Sequence, residues 1–352
     1  MYYILISKFV LIVYLILSKT VVSDLFINIK HRNTMKKILL FSLLILNYCA
    51  SYSQVEITEN EIKDHILFLA SEQNAGRYPG TKANRDVVKY IIKDFKEQGL
   101  LPLAKNYKQK FKARLRVDKG EPEKRLAKTC NVVAYLEGND PLLKNEYIIL
   151  GAHYDHLGMG GPSSKSDQSN TIHYGADDNA SGTAALLEIA EKVAANKDLL
   201  KRSVIFIAFG AEEQGLLGSQ YFVDNPLVPL SQVKLMINMD MVGRLNNENH
   251  VYMNGAGTFP GGVEFMQQLG ESLNLTPIVH AGSVGGSDHV SFFKKDISVL
   301  GIHTGAHPQY HRPEDTADLI NVPGQKQVSD YIYDALMTFA TTEYKMEFIP
   351  QE

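Results

Sequence analysis

Three short apolar runs, Tyr147 to Gly151, Val204 to Gly210 and Leu235 to Met239, each pass without a break into a segment of carboxylates or histidines. Runs this short and this uniformly apolar fit strands buried on both faces rather than one face of a helix. Between the first two lies Thr183 to Ala195, helical in pattern, and two amphipathic helices precede them at Ile57 to Ala70 and Ala83 to Gln98, the second closed by Gly99. Strands alternating with helices predict an α/β fold: a single globular domain with a mixed central β-sheet flanked by helices on both faces. No internal repeat, linker or charge block divides residues 54–352. In such sheets the polar residues at the carboxyl ends of the strands build the site.

Composition narrows the chemistry that those polar residues can perform. The 352 residues carry 36 Lys plus Arg against 39 Asp plus Glu, with 11 His and no basic run, so no electrostatic footprint for nucleic acid is present. Two cysteines, Cys49 and Cys130, are too few for a cysteine-ligated zinc or a disulfide framework. A metal in this chain must therefore use imidazole and carboxylate. Cys130 precedes the apolar Asn131 to Leu136 and is expected to be a buried, inert thiol.

Residues 1–53 read differently. The apolar run Ile38 to Leu46 follows Met35-Lys36-Lys37 and leads to Ala50-Ser51-Tyr52-Ser53, the three parts of a signal peptide cut after Ser53. Met35 then reads as the true start, residues 1–34 as a mis-called or extra segment, and residues 54–352 as the exported domain, secreted or periplasmic. The segment 1–53 holds six basic residues and one acidic, leaving 30 basic against 38 acidic in the remainder. Neither this run nor Phe9 to Leu17 reaches the ~18 apolar residues of a spanning helix, so no stable membrane insertion is expected. A lipid anchor on Cys49 is a lesser alternative, because Asn47-Tyr48 are a poor match to the small residues expected before it.

The first strand ends in Gly151-Ala152-His153-Tyr154-Asp155-His156, the second in Gly210-Ala211-Glu212-Glu213 and the third in Asn238-Met239-Asp240-Met241. Gly175-Ala176-Asp177-Asp178-Asn179-Ala180-Ser181-Gly182 opens the helix between the first two, and Tyr310-His311-Arg312-Pro313-Glu314-Asp315 comes late in the chain. Singly, each has a plain alternative. His153-x-Asp155 could be a surface pair, Asp177-Asp178 an N-cap with favourable charge at the helix dipole, and Glu212-Glu213 solvated charge in a turn. Asp240, inside an apolar run, is the hardest to dismiss, because a buried carboxylate needs a cation or hydrogen-bond donors.

Together and in this order, the five segments resemble the co-catalytic di-zinc aminopeptidases of metallopeptidase family 28, relatives of glutamate carboxypeptidase and glutaminyl cyclase. The resemblance runs from Ala75-Gly76-Arg77-Tyr78-Pro79-Gly80-Thr81 to Asp315-Thr316. It implies the zinc-exopeptidase fold and two zinc ions per chain. His153 and Asp240 would hold one, Glu213 and His311 the other, and Asp178 would bridge them, followed by a cis peptide bond. It implies Glu212 as general base toward a zinc-bridging hydroxide, Tyr310 as a phenol that hydrogen-bonds the oxyanion, and Asp155, Asp288 and Asp315 as supports of the ligands. It further implies peptide substrates with a free N-terminus. His156, His173, His289, His303 and His307 are expected to support rather than ligate, and Gly158 to Tyr174 to form a loop at the cleft mouth.

Rival readings stay open. A glutaminyl cyclase would use one zinc and line its pocket with Trp, and this chain has none and carries Tyr310 before the last His. A carboxypeptidase-type member would need a basic residue for the terminal carboxylate, and Arg244 and Arg312 are available. A non-catalytic binding ectodomain would have lost ligands, and here all five remain. Pocket preference, oligomeric state and native metal are not readable from the sequence.

Overall fold

The computed structural model describes residues 55–117, 125–168, 170–282 and 285–351; the readings of residues 1–53, Cys49 included, lie outside them. Among the described residues nine strands form one sheet: β1 (Leu101–Pro102), β2 (Lys108–Leu115), β3 (Arg125–Leu136), β4 (Tyr147–His153), β5 (Ser203–Phe209), β6 (Val233–Met239), β7 (His250–Asn254), β8 (Thr276–Val279) and β9 (Ser298–His303). Their spatial order is β1-β3-β5-β4-β6-β9-β7-β8, with β2 paired to β3. The centre, β5-β4-β6-β9, is parallel, whereas β3 meets β5 and β7 meets β9 antiparallel. The sheet is thus mixed, as expected.

The three apolar runs are β4, β5 and β6, side by side at the centre. Their residues alternate between two cores. Ile148, Leu150, Val204, Phe206, Leu235 and Ile237 face one side, and Ile149, Ile205, Ile207, Phe209 and Met236 the other. A strand buried on both faces has no polar face to show, which is why these segments read as unbroken apolar runs.

Seven helices cover the sheet among the described residues: α1 (Glu59–Leu69), α2 (Lys82–Glu97), α3 (Gly182–Ala195), α4 (Leu217–Asp224), α5 (Gly262–Ser272), α6 (His289–Phe293) and α7 (Val322–Thr341). The first core takes residues of α1, α2, α3 and α7, and the second takes Phe222 of α4 and Phe292 of α6. Thr58 and Thr81 cap α1 and α2 by accepting from the backbone N–H three residues on. Gly99, at φ +76°, lets the chain leave α2 in the left-handed region, where other residues are strained. Cys130 is buried in β3 and its thiol is pushed up by burial. None of the described helices is long and apolar enough to cross a membrane.

Candidate metal centre

The central parallel strands β5, β4, β6 and β9 run toward the same end of the sheet and lead there into acidic or imidazole groups. His153 is the last residue of β4, Asp240 follows β6, and Glu212-Glu213 follow β5 by two residues. Asp178 stands in the turn that leads into α3, and the peptide bond from Asp178 to Asn179 is cis. Residues 304–315, after β9, bring in Tyr310 and His311.

Two clusters share one carboxylate. His153 Nε2 lies 3.3 Å from Asp240 Oδ1 and 3.4 Å from Asp178 Oδ1. On the other side His311 Nε2 lies 3.2 Å from Asp178 Oδ2 and 3.2 Å from Glu213 Oε2. The five residues named from the sequence as ligands therefore lie together, on either side of Asp178. His156 joins them: its Nδ1 is 2.8 Å from Glu213 Oε1 and 3.9 Å from Asp178 Oδ2. It lies three residues beyond His153, where the chain has turned under the same carboxylates. Its bond to Glu213 leaves the other carboxylate oxygen free to face His311.

The electrostatics favour positive charge between the carboxylates. Burial alone would raise the Asp178 carboxyl, but the His156, His153 and His311 imidazoles outweigh it and hold it well below the usual range. Burial alone would lower His311, but Asp178 and Glu213 lift it to about 10. The carboxylates around His153 and His311 thus favour positive charge on those two rings. Glu212, on the cleft wall, has its proton affinity raised well above normal by burial and then by Asp288, Glu213 and Asp240, against the pull of His153. The donor set, imidazoles and carboxylates, fits zinc: His153, Asp178 and Asp240 are close enough for one ion and His156, Asp178 and Glu213 for another, while His311 faces the second group through Asp178 and Glu213.

Around this centre a set of backbone anchors fixes the ligands. Asp315 Oδ2 accepts from the backbone N–H of both Asp177 and Asp178, at 3.0 Å each, and Arg244 Nη2 donates to Asp315 Oδ1 at 3.4 Å. The Asp155 carboxylate is 3.9 Å from His153 Nδ1, but its hydrogen bonds come from the backbone N–H of Glu212 and Glu213. It steadies the Glu212-Glu213 backbone, while His153 Nδ1 faces the Asp155 carbonyl oxygen at 3.2 Å. Burial raises Asp155 to about 7, against His153. Asp288 is fully buried and raised to about 7 by burial, with Asp155 and Asp240 adding to it and His153 opposing. Asp177 turns away from the clusters and accepts from Gly243 N–H. Tyr310 stacks on His311 with ring centroids 3.9 Å apart. The loop from Gly158 to Tyr174 reaches the same place: the Ser163 carbonyl oxygen is 2.8 Å from His311 Nδ1, and Lys165 Nζ sits 4.0 Å from the Tyr310 ring centroid.

Sequence reasoning passed over two residues here. Arg77 is completely buried behind Asp178, and its five N–H groups donate to the backbone oxygens of Leu69, Tyr154, Tyr174, Gly175 and Asp178. Asn179 donates to Met239 O and accepts from Gly182 and Met241 N–H, tying the bridging turn to the strand end that carries Asp240. Neither residue is a ligand, and the only sequence signal for either was its adjacency to a motif.

The family model for peptidase family M28 matches residues 131–336, more than half of the chain. The chain belongs to peptidase family M28. Among curated relatives, leucine aminopeptidase 2 of Trichophyton equinum is 33% identical over 187 residues, which are 51% of this chain and 34% of the relative. The chain thus spans about a third of the length of that M28 protein. Among solved structures, a zinc aminopeptidase from Bacillus subtilis superposes with a TM-score of 0.65 at 19% identity, covering 84% of this chain and 99% of the other. A glutaminyl cyclase from Porphyromonas gingivalis does so with a TM-score of 0.65 at 21% identity, covering 80% and 99%. At these identities the likeness establishes a shared fold, the mixed sheet flanked by helices described above.

Proposed function

We propose that this M28 chain is an exported exopeptidase that removes residues from the free N-terminus of peptides. It would hold two zinc ions, one by His153, Asp240 and Asp178 and the other by Asp178, Glu213 and His311. The observation that carries this reading is the single buried carboxylate of Asp178, placed between two imidazole-carboxylate groups. Bound zinc supplies Lewis-acid polarisation of the scissile carbonyl and lowers the pKa of water to about 7.

The residues of the chain supply the rest. Glu212, whose surroundings raise its proton affinity, would as the carboxylate take a proton from the attacking water and, once protonated, deliver it to the leaving amine. Asp155 keeps that carboxylate in reach by holding its backbone. Burial and four nearby carboxylates keep the Tyr310 phenol protonated, so it can donate to the developing oxyanion. The carboxylates lining the cleft favour a substrate that enters with a free ammonium group. Arg244, one of two arginines suited to a terminal carboxylate, is already bonded to Asp315, which weighs against a carboxypeptidase.

Elemental analysis and turnover of aminoacyl-chromogenic substrates, beside N-blocked and Gln-initiated ones, test this reading. Two zincs per chain and a strict need for a free amine are expected, with Glu212→Gln lowering kcat by about 10²–10⁴ at unchanged zinc content. One zinc with ring closure of Gln would make the chain a cyclase. N-terminal sequencing of the exported protein tests cleavage after Ser53.

A further inference from the structure

The loop from Gly158 to Tyr174 is tied down at its base and at its tip. At the base Gly158 N–H donates to Gly76 O at 3.1 Å, and His173 N–H donates to Gly158 O at 2.8 Å. At the tip the Ser163 carbonyl faces His311 Nδ1, Lys165 N–H donates to His311 O at 3.0 Å, and Arg116 Nη1 donates to Ser163 Oγ at 3.2 Å. This docking sets one exposed cation, Lys165, at the rim of the metal cleft. Its Nζ is 4.0 Å from the Tyr310 ring centroid, and the His311 ring stacks on Tyr310 at 3.9 Å. One ring face cannot hold both, so the ammonium and the imidazole lie on opposite faces of a phenol that itself lines the cleft.

Two other cations near the ligands are already occupied. Arg77 donates to backbone oxygens, and Arg244 donates to Asp315. The Lys165 ammonium meets an aromatic face instead, with no carboxylate in ion-pair range among the described residues. A lysine has three N–H donors, and a ring on one side leaves the others open to solvent. Lys165 is thus a positive pole outside a cleft whose lining carries Asp178, Glu212 and Asp240. In the exopeptidase reading the substrate's ammonium points inward to those carboxylates, so the residue after the scissile bond points to the mouth. With the scissile carbonyl oxygen at the Tyr310 hydroxyl, that residue extends at most about 3.6 Å further. A carboxylate on it comes within reach of an ammonium on a flexible four-carbon stem. A carboxamide of the same shape offers that ammonium no opposite charge.

We propose that Lys165 binds a carboxylate carried by the residue after the scissile bond, so that the enzyme favours dipeptides, through their C-terminus, or peptides with an acidic side chain at that position. The proposal rests on the exopeptidase reading above for the direction of the substrate. Leu-Gly against Leu-Gly amide reads the terminal carboxylate, and Leu-Asp amide against Leu-Asn amide reads the side chain. The zinc-loaded enzyme should show kcat/KM at least about threefold higher for the acid in one pair or both, the size expected of an exposed ion pair. Lys165→Gln should bring that ratio to about one, and Lys165→Arg should retain it. A lysine that only held the loop or the Tyr310 ring would change acid and amide alike, so a ratio unmoved in folded Lys165→Gln overturns the proposal, as does the absence of any acid preference. Calorimetry of the same pairs with the zinc-loaded Glu212→Gln variant gives a readout independent of turnover, and Lys165→Gln in that background should abolish the tighter binding of the acid. Hydrolysis of N-acetyl-Leu-Gly as fast as Leu-Gly would instead overturn the aminopeptidase reading, and a Lys165-dependent preference for the acid would then leave the carboxylate site standing.

Discussion

Arg77 shows how much of a metal centre resides in residues that touch no metal. Its guanidinium has five N–H groups, and each has a backbone oxygen within reach, that of Asp178 included. Lysine offers three donors from a point, so it cannot replace the planar fork. Arg77→Lys should therefore lower unfolding free energy by more than about 2 kcal/mol in urea titration, since the stranded carbonyls each cost of order 1 kcal/mol or more. Zinc content after dialysis should fall with it, because the Asp178 backbone loses its support. His153, Asp178, Glu213 and Asp240 were legible as candidates in the sequence, since each ends or follows an apolar run or precedes a helix, whereas His311 was singled out by the resemblance alone. Arg77 was not, because a buried arginine satisfied by carbonyls has no partner to be seen in sequence. His156 was read only as a support, because nothing before the fold is known says that it turns under Glu213.

At the scale of elements, α1, α2 and α3 meet at a buried polar junction well away from the cleft. His65 Nε2 of α1 lies 3.2 Å from Glu188 Oε1 of α3 and 3.9 Å from Asp94 Oδ2 of α2. Burial raises Asp94 to about 6, with Glu188 adding to it and His65 opposing. A carboxyl whose folded pKa lies above its unfolded value of 3.8 favours the native state when protonated. That stability is complete below about pH 4 and is lost as pH rises through about 6. Asp94→Asn should thus stabilise the protein at pH 8 by on the order of 1–3 kcal/mol and change little at pH 4, measured by urea unfolding at both values. The helices and central strands around this junction were legible from apolar periodicity. The flanking strands were harder: β2 alternates buried and exposed residues and β3 runs antiparallel to β5, and this pairing depends on partners distant in sequence.

Across the whole molecule the cleft concentrates Asp155, Asp178, Glu212, Glu213, Asp240 and Asp288 within one wall of protein. A cation bound there stabilises only the folded state. Removing zinc with a chelator should lower Tm and remove about 4 kcal/mol of stability for zinc present at a thousand times its Kd, and restoring zinc should reverse the loss. Scanning calorimetry before and after chelation checks this; an unchanged Tm would contradict the metal assignment. The bridging Asp178 is also clamped from both directions along the chain. Arg77 reaches it from 101 residues before, and Asp315 binds its N–H from 137 residues after. A polypeptide still emerging from the ribosome therefore carries the ligands from His153 to Asp240 without the clamp that aligns them. The cradle around Asp178 closes only when synthesis has passed residue 315.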